Sequence, residues 1–232
     1  MARRSLECHG DFFIRHLRPG VTVLDCGCGP GSITLGIARR VAPSQVTGID
    51  LGKSQIERAA REAAEQGISN VQFLEASCYS LPFADEAFDC VFSHALFEHL
   101  SEPRRAVAEC WRVLRPGGRV GVCSPDWGGF IVAPPSPELA SAIEAYVGLQ
   151  TANGGDVGVG RKLGAYLSAA GFQEIRMQAR YECYGDRLFI GEYLARQLEQ
   201  NDHVRHANVL RSWAESPHGL FAQCWVSAAG RK

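Results

Sequence analysis

Val21-Thr22-Val23-Leu24-Asp25-Cys26-Gly27-Cys28-Gly29-Pro30-Gly31 is an apolar run that ends in an acid and opens into glycines at alternate positions, ahead of a helical pattern. A strand that stops in such a loop brings bare backbone close to a ligand, because glycine has no side chain to hold it away. A second apolar run, Val46-Thr47-Gly48-Ile49-Asp50, follows about twenty residues on and also ends in an acid. An acid at that distance suits a ribose diol. The two tips point to a nucleoside-containing cofactor across the ends of two parallel strands.

The glycine spacing narrows the cofactor. A dinucleotide fingerprint reads G-x-G-x-x-G and delivers a pyrophosphate to a helix N-terminus. Here the spacing is G-x-G-x-G, and Asp25 stands two residues before the first glycine. An acid there repels a pyrophosphate and attracts a cation, and the loop has no P-loop lysine. S-adenosylmethionine, with an adenosine, a sulfonium and an ammonium, fits better than a nicotinamide dinucleotide or ATP.

The 232 residues, 46% of them hydrophobic, suffice for one α/β domain. A formal net charge of -1 implies no general affinity for nucleic acid or acidic membranes. No apolar run approaches a membrane span, and the start, Met1-Ala2-Arg3-Arg4-Ser5, lacks the apolar segment of a secretory signal. A cytoplasmic protein is expected. The nine cysteines are odd in number and include no C-x-x-C pair, so they read as small buried hydrophobes rather than as disulfides or metal ligands.

Strand-like and helix-like segments alternate, which signals a parallel sheet with helices on both faces. Strands are expected at 21–25, 46–50, 71–75, 88–93, 119–124, 173–181 and 220–227, and helices at 6–17, 32–42, 53–66, 103–114, 137–150, 160–170, 186–200 and 203–215. The segment 6–17 reads as one amphipathic helix. The expected organisation is a single domain, with a core over 20–127, acceptor-side and cap elements over 128–216, and a final strand at 220–227.

Four blocks resemble the class I S-adenosylmethionine-dependent methyltransferases, in particular the ubiquinone/menaquinone-biosynthesis-like small-molecule branch. They are Val23–Gly31; Val46–Leu51; Leu81-Pro82-Phe83 followed by Phe88-Asp89-Cys90-Val91; and Arg112-Val113-Leu114-Arg115-Pro116-Gly117-Gly118. The resemblance is strong over 20–127 and weak beyond. It implies a Rossmann-like, seven-stranded, mostly parallel sheet with an antiparallel last strand and a small helical cap near the active site. It implies that Gly27, Cys28 and Gly29 meet the methionine part with Asp25 near its ammonium, that Asp50 binds the ribose hydroxyls, and that Leu51 and Gln55 flank adenine. Ala76-Ser77-Cys78 stands where the family commonly has Gly-Asp-Ala, so Ser77 replaces an aspartate that accepts from the adenine amino group; a serine oxygen accepts the same bond without the charge.

Several positions admit a plainer role. Asp25 also suits a cap for the helix at 32, Ser77 a turn, and Asp89 a holder of loop backbone. On the acceptor side, loops at the carboxyl ends of strands present His94, Glu98, His99, Asp126, Trp127 and Phe130. His94 is a candidate base or a pocket residue. His99 also reads as structural, and Trp127 and Phe130 as an acceptor wall or ordinary core. Arg161, in the glycine-rich stretch 154–162, faces an acidic acceptor, a carboxylate of the protein, or solvent. Tyr184 and Tyr193, with Tyr181 and Phe189, are placed to roof a lipophilic pocket.

Methyl transfer is an in-line displacement at a sulfonium carbon, in which positioning and water exclusion do most of the work. The expected partner is a small, apolar methyl acceptor. Nucleic-acid methylation is disfavoured, since no basic stripe or recognition domain is visible. The short N-terminal segment leaves room for a homodimer. A regulatory module that binds the cofactor without turnover and a nicotinamide-dependent oxidoreductase are the alternatives.

Overall fold

A computed structural model describes residues 4–232. Residues 1–3, the beginning of the start discussed above, lie outside the described residues. The strands are β1 (Val23–Cys26), β2 (Val46–Asp50), β3 (Val71–Glu75), β4 (Phe88–His94), β5 (Leu114–Ala133), β6 (Gln173–Cys183) and β7 (Leu220–Arg231). They form one seven-stranded sheet in the order β3-β2-β1-β4-β5-β7-β6. β1 to β5 pair in parallel, and β7 runs antiparallel to both β5 and β6. The Rossmann-like sheet with an antiparallel last strand is therefore observed.

The helices are α1 (Leu6–His9), α2 (Ser32–Val41), α3 (Lys53–Glu65), α4 (Pro103–Val113), α5 (Pro137–Ala152), α6 (Leu163–Ala169), α7 (Arg187–Glu199) and α8 (Val204–Ala214). Strand alternation sorts the core by face. Leu24 and Val91 join α4 and α6 through Val107, Cys110, Val113, Leu163 and Leu167. Their neighbours Val23, Cys90 and Phe92 pack on the other face against α2 and the N-terminal segment, through Ile33, Ile37, Phe13 and Leu17. A separate cluster joins α5, α7 and α8 with Phe221 and forms the cap. Seven of the nine cysteines are buried, as expected of small apolar side chains. No helix among the described residues is long and apolar enough to cross a membrane.

Two elements differ from expectation. The helix expected over 6–17 is a four-residue α1 that stops at Gly10, followed by a short 3-10 turn at Ile14–His16. Gly10 favours a helix end, and the chain beyond it turns so that Phe13 reaches the sheet and is wholly buried. β5 runs well past the expected 119–124, because β7 pairs with it along 119–126 and again along 131–133. Pro125 signals a break in the sequence, yet it is tolerated here: β4 has ended at His94, opposite Cys123, so the ladder on that side is over. Residues 127–130 interrupt the pairing with β7 as a bulge.

Gly121 in β5 lies under the Phe13 ring, and a Cβ there would overlap it. Gly121→Ala should destabilise the fold by roughly 1–3 kcal/mol through overpacking. Chemical denaturation measures this, and an unchanged midpoint would count against the packing described.

Candidate functional site

The carboxyl ends of β1, β2 and β4 open into a cavity of about 670 Å³. The sheet order accounts for its place: β1 lies between β2 and β4, and a ligand crevice forms where connections leave in opposite directions. Of the residues expected to hold the cofactor, Asp25, Gly27, Cys28, Gly29, Asp50, Leu51, Gln55, Cys78 and His94 line it. Gly27, Gly29 and Gly31 have φ of 73°, 52° and 81°. Left-handed backbone at alternate positions is costly for other residues, and nothing lies within 4 Å of a Cβ built on Gly29. The loop therefore offers open backbone to a ligand.

The loop is fixed by two anchors. Gly27 N and Cys28 N both donate to Ile49 O, at 2.8 and 2.9 Å. Asp50 accepts from Gly29 N on one oxygen at 2.9 Å and from Gly52 N on the other at 2.8 Å. Each carboxylate oxygen keeps lone-pair capacity for a further donor, which a ribose diol supplies. No side chain caps α2 among the described residues, so Asp25 does not play the cap role weighed for it.

Asp25 is buried and accepts from Thr34 Oγ1 at 2.6 Å through Oδ2. Among the described residues no protein donor reaches its Oδ1, although Asp25 lines the cavity. Burial pushes its carboxyl up to about 7, against the Thr34 hydrogen bond, and the nearby Asp50 charge pushes the same way. This pair of features fits a cationic ligand group, which would complete the carboxylate. Leu51 is 68% exposed at the rim, an apolar side chain left open where an adenine would pack. Burial raises the Cys28 thiol, with the Asp25 and Asp50 charges adding to it, so Cys28 is an inert wall.

Ser77 is the exception on the cofactor side. Its Oγ accepts from Tyr79 N at 3.2 Å, and Ser77 is absent from the cavity lining, which Ala76, Cys78 and Tyr79 supply instead. It is the turn residue of its second reading. Asp89 likewise holds backbone: it accepts from Thr22 N and Thr22 Oγ1 at 2.8 Å each and pairs with Arg115 at 2.7 Å.

A smaller chamber of about 100 Å³ adjoins the cavity. Arg4, Ala95 and His99 line both. Trp127, Tyr146, Tyr184, Tyr193, Phe221 and Trp225 make the chamber aromatic, and Glu98 supplies a carboxyl. The β5 bulge delivers Trp127, whose N–H donates to Val157 O at 2.9 Å, and Trp127 packs on Tyr146 with 4.8 Å between ring centroids. Phe130 lies behind this wall, stacked on Phe221 at 6.3 Å, and does not line the chamber.

His94 is 5% exposed, stacks on Trp225 at 4.7 Å and meets His9 edge-on at 5.4 Å. Neither ring nitrogen has a hydrogen-bond partner among the described residues. Burial, followed by the charges of Arg4, His9 and Arg180, holds its pKa well below the ordinary imidazole value. The lowered pKa disfavours a protonated His94, and the side chain stands in the wall of the cavity. Asp126 and Arg161 pair with each other, which is the protein-carboxylate reading of Arg161, and neither lines the cavity or the chamber. Arg161 Nε and Nη2 reach the two Asp126 oxygens at 2.7 and 2.6 Å, while Arg161 N and Gly128 N add bonds at 3.1 and 3.0 Å. This fork staples β5, just before its bulge, to the turn before α6 and pairs the two charges.

Sequence reasoning missed Arg4 and Tyr146. Arg4 sits with its guanidinium 5.0 Å from the Trp225 ring centroid, a contact between chain end and β7 that no local spacing encodes. Tyr146 belongs to α5, where it reads as one more apolar position. Tyr184 and Tyr193 line the chamber as expected of a roof, whereas Tyr181 and Phe189 are exposed.

Two measurements test the cofactor end. Asp50→Ala should weaken binding of S-adenosylmethionine by roughly 1–3 kcal/mol, the loss expected for charge-assisted hydrogen bonds; unchanged affinity in calorimetry would show the ribose is elsewhere. A cation beside Asp25 lowers its raised pKa, so binding just below pH 7 should release protons. Calorimetry in buffers of different ionisation enthalpy detects this, and Asp25→Asn should abolish it.

The family model described as a methyltransferase domain matches residues 24–122, the span from β1 to β5 that builds this site. An uncharacterized methyltransferase of Schizosaccharomyces pombe is 28% identical over 244 aligned residues, covering 95% of this chain and 87% of that protein. The ubiquinone/menaquinone biosynthesis C-methyltransferase of Hahella chejuensis is 32% identical over 132 residues, covering 56% of this chain and 51% of its own. The chain spans about half the length of most of the curated relatives it matches. The crystal structure of the YcgJ protein from Bacillus subtilis superimposes with a TM-score of 0.72 at 22% identity, covering 96% of this chain and 97% of that one, a likeness of fold. Residues 24–122 match a methyltransferase domain, and over that span the chain is similar to S-adenosylmethionine-dependent methyltransferases.

Proposed function

We propose that the protein transfers a methyl group from S-adenosylmethionine to a small, flat acceptor held in the aromatic chamber. The observation that carries this reading is the shared boundary of the two spaces: Arg4, Ala95 and His99 line both the cavity at the strand tips and the chamber. A methyl donor in one and an acceptor in the other would meet there.

Bound S-adenosylmethionine supplies an activated methyl on a sulfonium, with a neutral thioether as leaving group. The chain supplies position. Asp50 and the glycine backbone would hold the nucleoside, and Asp25 the ammonium. Ala95, with φ 57°, places the turn after β4 at the boundary. Trp127, Tyr146 and Phe221 form walls that favour a flat ring and exclude water. Tyr146, Tyr184 and Tyr193 also line the chamber, and their phenol oxygens, which have no hydrogen-bond partner among the described residues, would be available to polar groups of an acceptor.

Titration calorimetry should show binding of both S-adenosylmethionine and its demethylated product, and no heat with either would end this reading. Label from the donor methyl should enter the small-molecule fraction of a cell extract. Trp127→Ala should cut that transfer by about ten-fold or more, from the loss of aromatic contacts worth ~1.5 kcal/mol, with cofactor affinity unchanged. Equal loss of both would place Trp127 in the cofactor site instead.

A further inference from the structure

Glu98 is the one carboxyl among the chamber's lining residues. It stands in the 3-10 turn Phe97–His99 directly after β4, one residue from His99, which lines both spaces. Ser124 Oγ donates to Glu98 Oε2 at 2.9 Å, and Asp156 N donates to Glu98 O at 2.9 Å, so both side chain and backbone are held from other elements. Oε1 has His99 Nε2 at 3.8 Å, beyond hydrogen-bond range. The Glu98 side chain is 11% exposed and that of His99 59%. One oxygen is thus anchored and the other has no hydrogen-bond partner among the described residues, in a side chain that lines the chamber next to the boundary residue His99.

We propose that Glu98 is the proton acceptor of the transfer, and that the acceptor is a flat, neutral molecule carrying a hydroxyl. This rests on the chamber reading given above and adds the chemical class of its occupant. As the hydroxyl oxygen attacks the methyl carbon, its O–H bond breaks toward Glu98 Oε1. The carbon–sulfur bond breaks with its electron pair passing to sulfur. The products are a methyl ether, S-adenosylhomocysteine and a neutral Glu98 carboxyl. The half-exposed His99 beside Oε1 then offers the proton a way to solvent.

The charges around Glu98 argue for a neutral acceptor. Arg4 from the N-terminal segment lines the same chamber, and the sulfonium adds a second positive charge, so a cationic amine would be repelled. The other groups facing Glu98 are Ser124 on β5, His99 on its own turn, Tyr146 on α5, Tyr193 on α7 and Tyr184 after β6. Burial holds the Glu98 carboxyl above its ordinary value, partly offset by His99, Ser124 and Arg4. A carboxylate whose pKa is raised toward neutrality is a better base than an exposed one. His94, with its lowered pKa, does not compete for the role.

The probes are 4-methylphenol, which stays neutral across the working pH range, and its methyl ether, 4-methylanisole, which carries a methyl in place of the hydroxyl hydrogen and so cannot donate a hydrogen bond. Each is titrated into protein saturated with S-adenosylhomocysteine, followed by tryptophan fluorescence, in wild type and Glu98→Gln. Wild type should bind the phenol about ten-fold or more tighter than the ether, as for a hydrogen bond to a charged group. That preference should fade as pH falls through the Glu98 pKa and be nearly absent in Glu98→Gln, with S-adenosylhomocysteine affinity unchanged. With labelled S-adenosylmethionine, kcat for methylation of 4-methylphenol should fall by about 100-fold or more in Glu98→Gln, and the acid limb of the wild-type pH profile should disappear. Equal binding of the two probes by wild type, an unchanged kcat or pH profile in Glu98→Gln, or binding of the phenol without methylation would each overturn the role of Glu98 and leave the chamber reading standing. Failure of both probes to bind to cofactor-loaded protein would overturn the chamber reading, and this proposal with it.

Discussion

Asp50 joins two turns through one carboxylate, and the geometry of the cofactor end depends on that joint. Its oxygens take Gly29 N and Gly52 N, while Ile49 O, one residue earlier, takes Gly27 N and Cys28 N. The glycine loop leaving β1 is therefore held against the tip of β2 by three N–H donors of its own, while Gly52 N fixes the same carboxylate from the turn after β2. With glycine at three of its five positions, the loop has few side chains to fix its path, and the conformational freedom of glycine would otherwise be spread over many states. Pinned in this way, the loop presents open backbone to the cavity at little cost on binding.

The two carboxylates at the strand tips differ in a useful way. Asp50 is coordinated by backbone on both oxygens. Asp25 is buried, holds one hydrogen bond from Thr34, and is pushed toward neutrality. The linkage follows from the sign of that shift. A folded-state pKa of about 7 above an ordinary 3.8 means the folded protein holds a proton that the unfolded chain has lost, so stability declines as pH rises between those values. The ionised form is held at an energetic cost that a bound cation removes.

How much of this was legible in the chain follows from where the information lies. The cofactor end is local: acid, glycines and second acid sit on consecutive β-α-β segments, so Asp25, Gly27, Gly29 and Asp50 converge as their spacing implies. The acceptor side is assembled from elements far apart in sequence. Arg4, Glu98, Tyr146, Tyr184 and Trp225 meet only through tertiary packing. Asp126 and Arg161 looked available because their 35-residue separation hides the fork that joins them. β5 was foreshortened because Pro125 reads as a break, and only its place beyond the end of β4 makes it harmless. The N-terminal helix was overextended because Gly10 and the descent of Phe13 onto Gly121 outweigh local amphipathicity.

The cap has its own apolar cluster, built from α5, α7, α8 and Phe221 and separate from the two clusters that flank the sheet. Substitutions that reshape the chamber wall are thus absorbed largely within the cap. The methyl donor's cradle, packed from other residues, feels little of them. Such a division lets selection retune what is methylated while leaving untouched the machinery that brings the methyl, so related chains can share the strand-tip crevice and diverge in the molecules they modify.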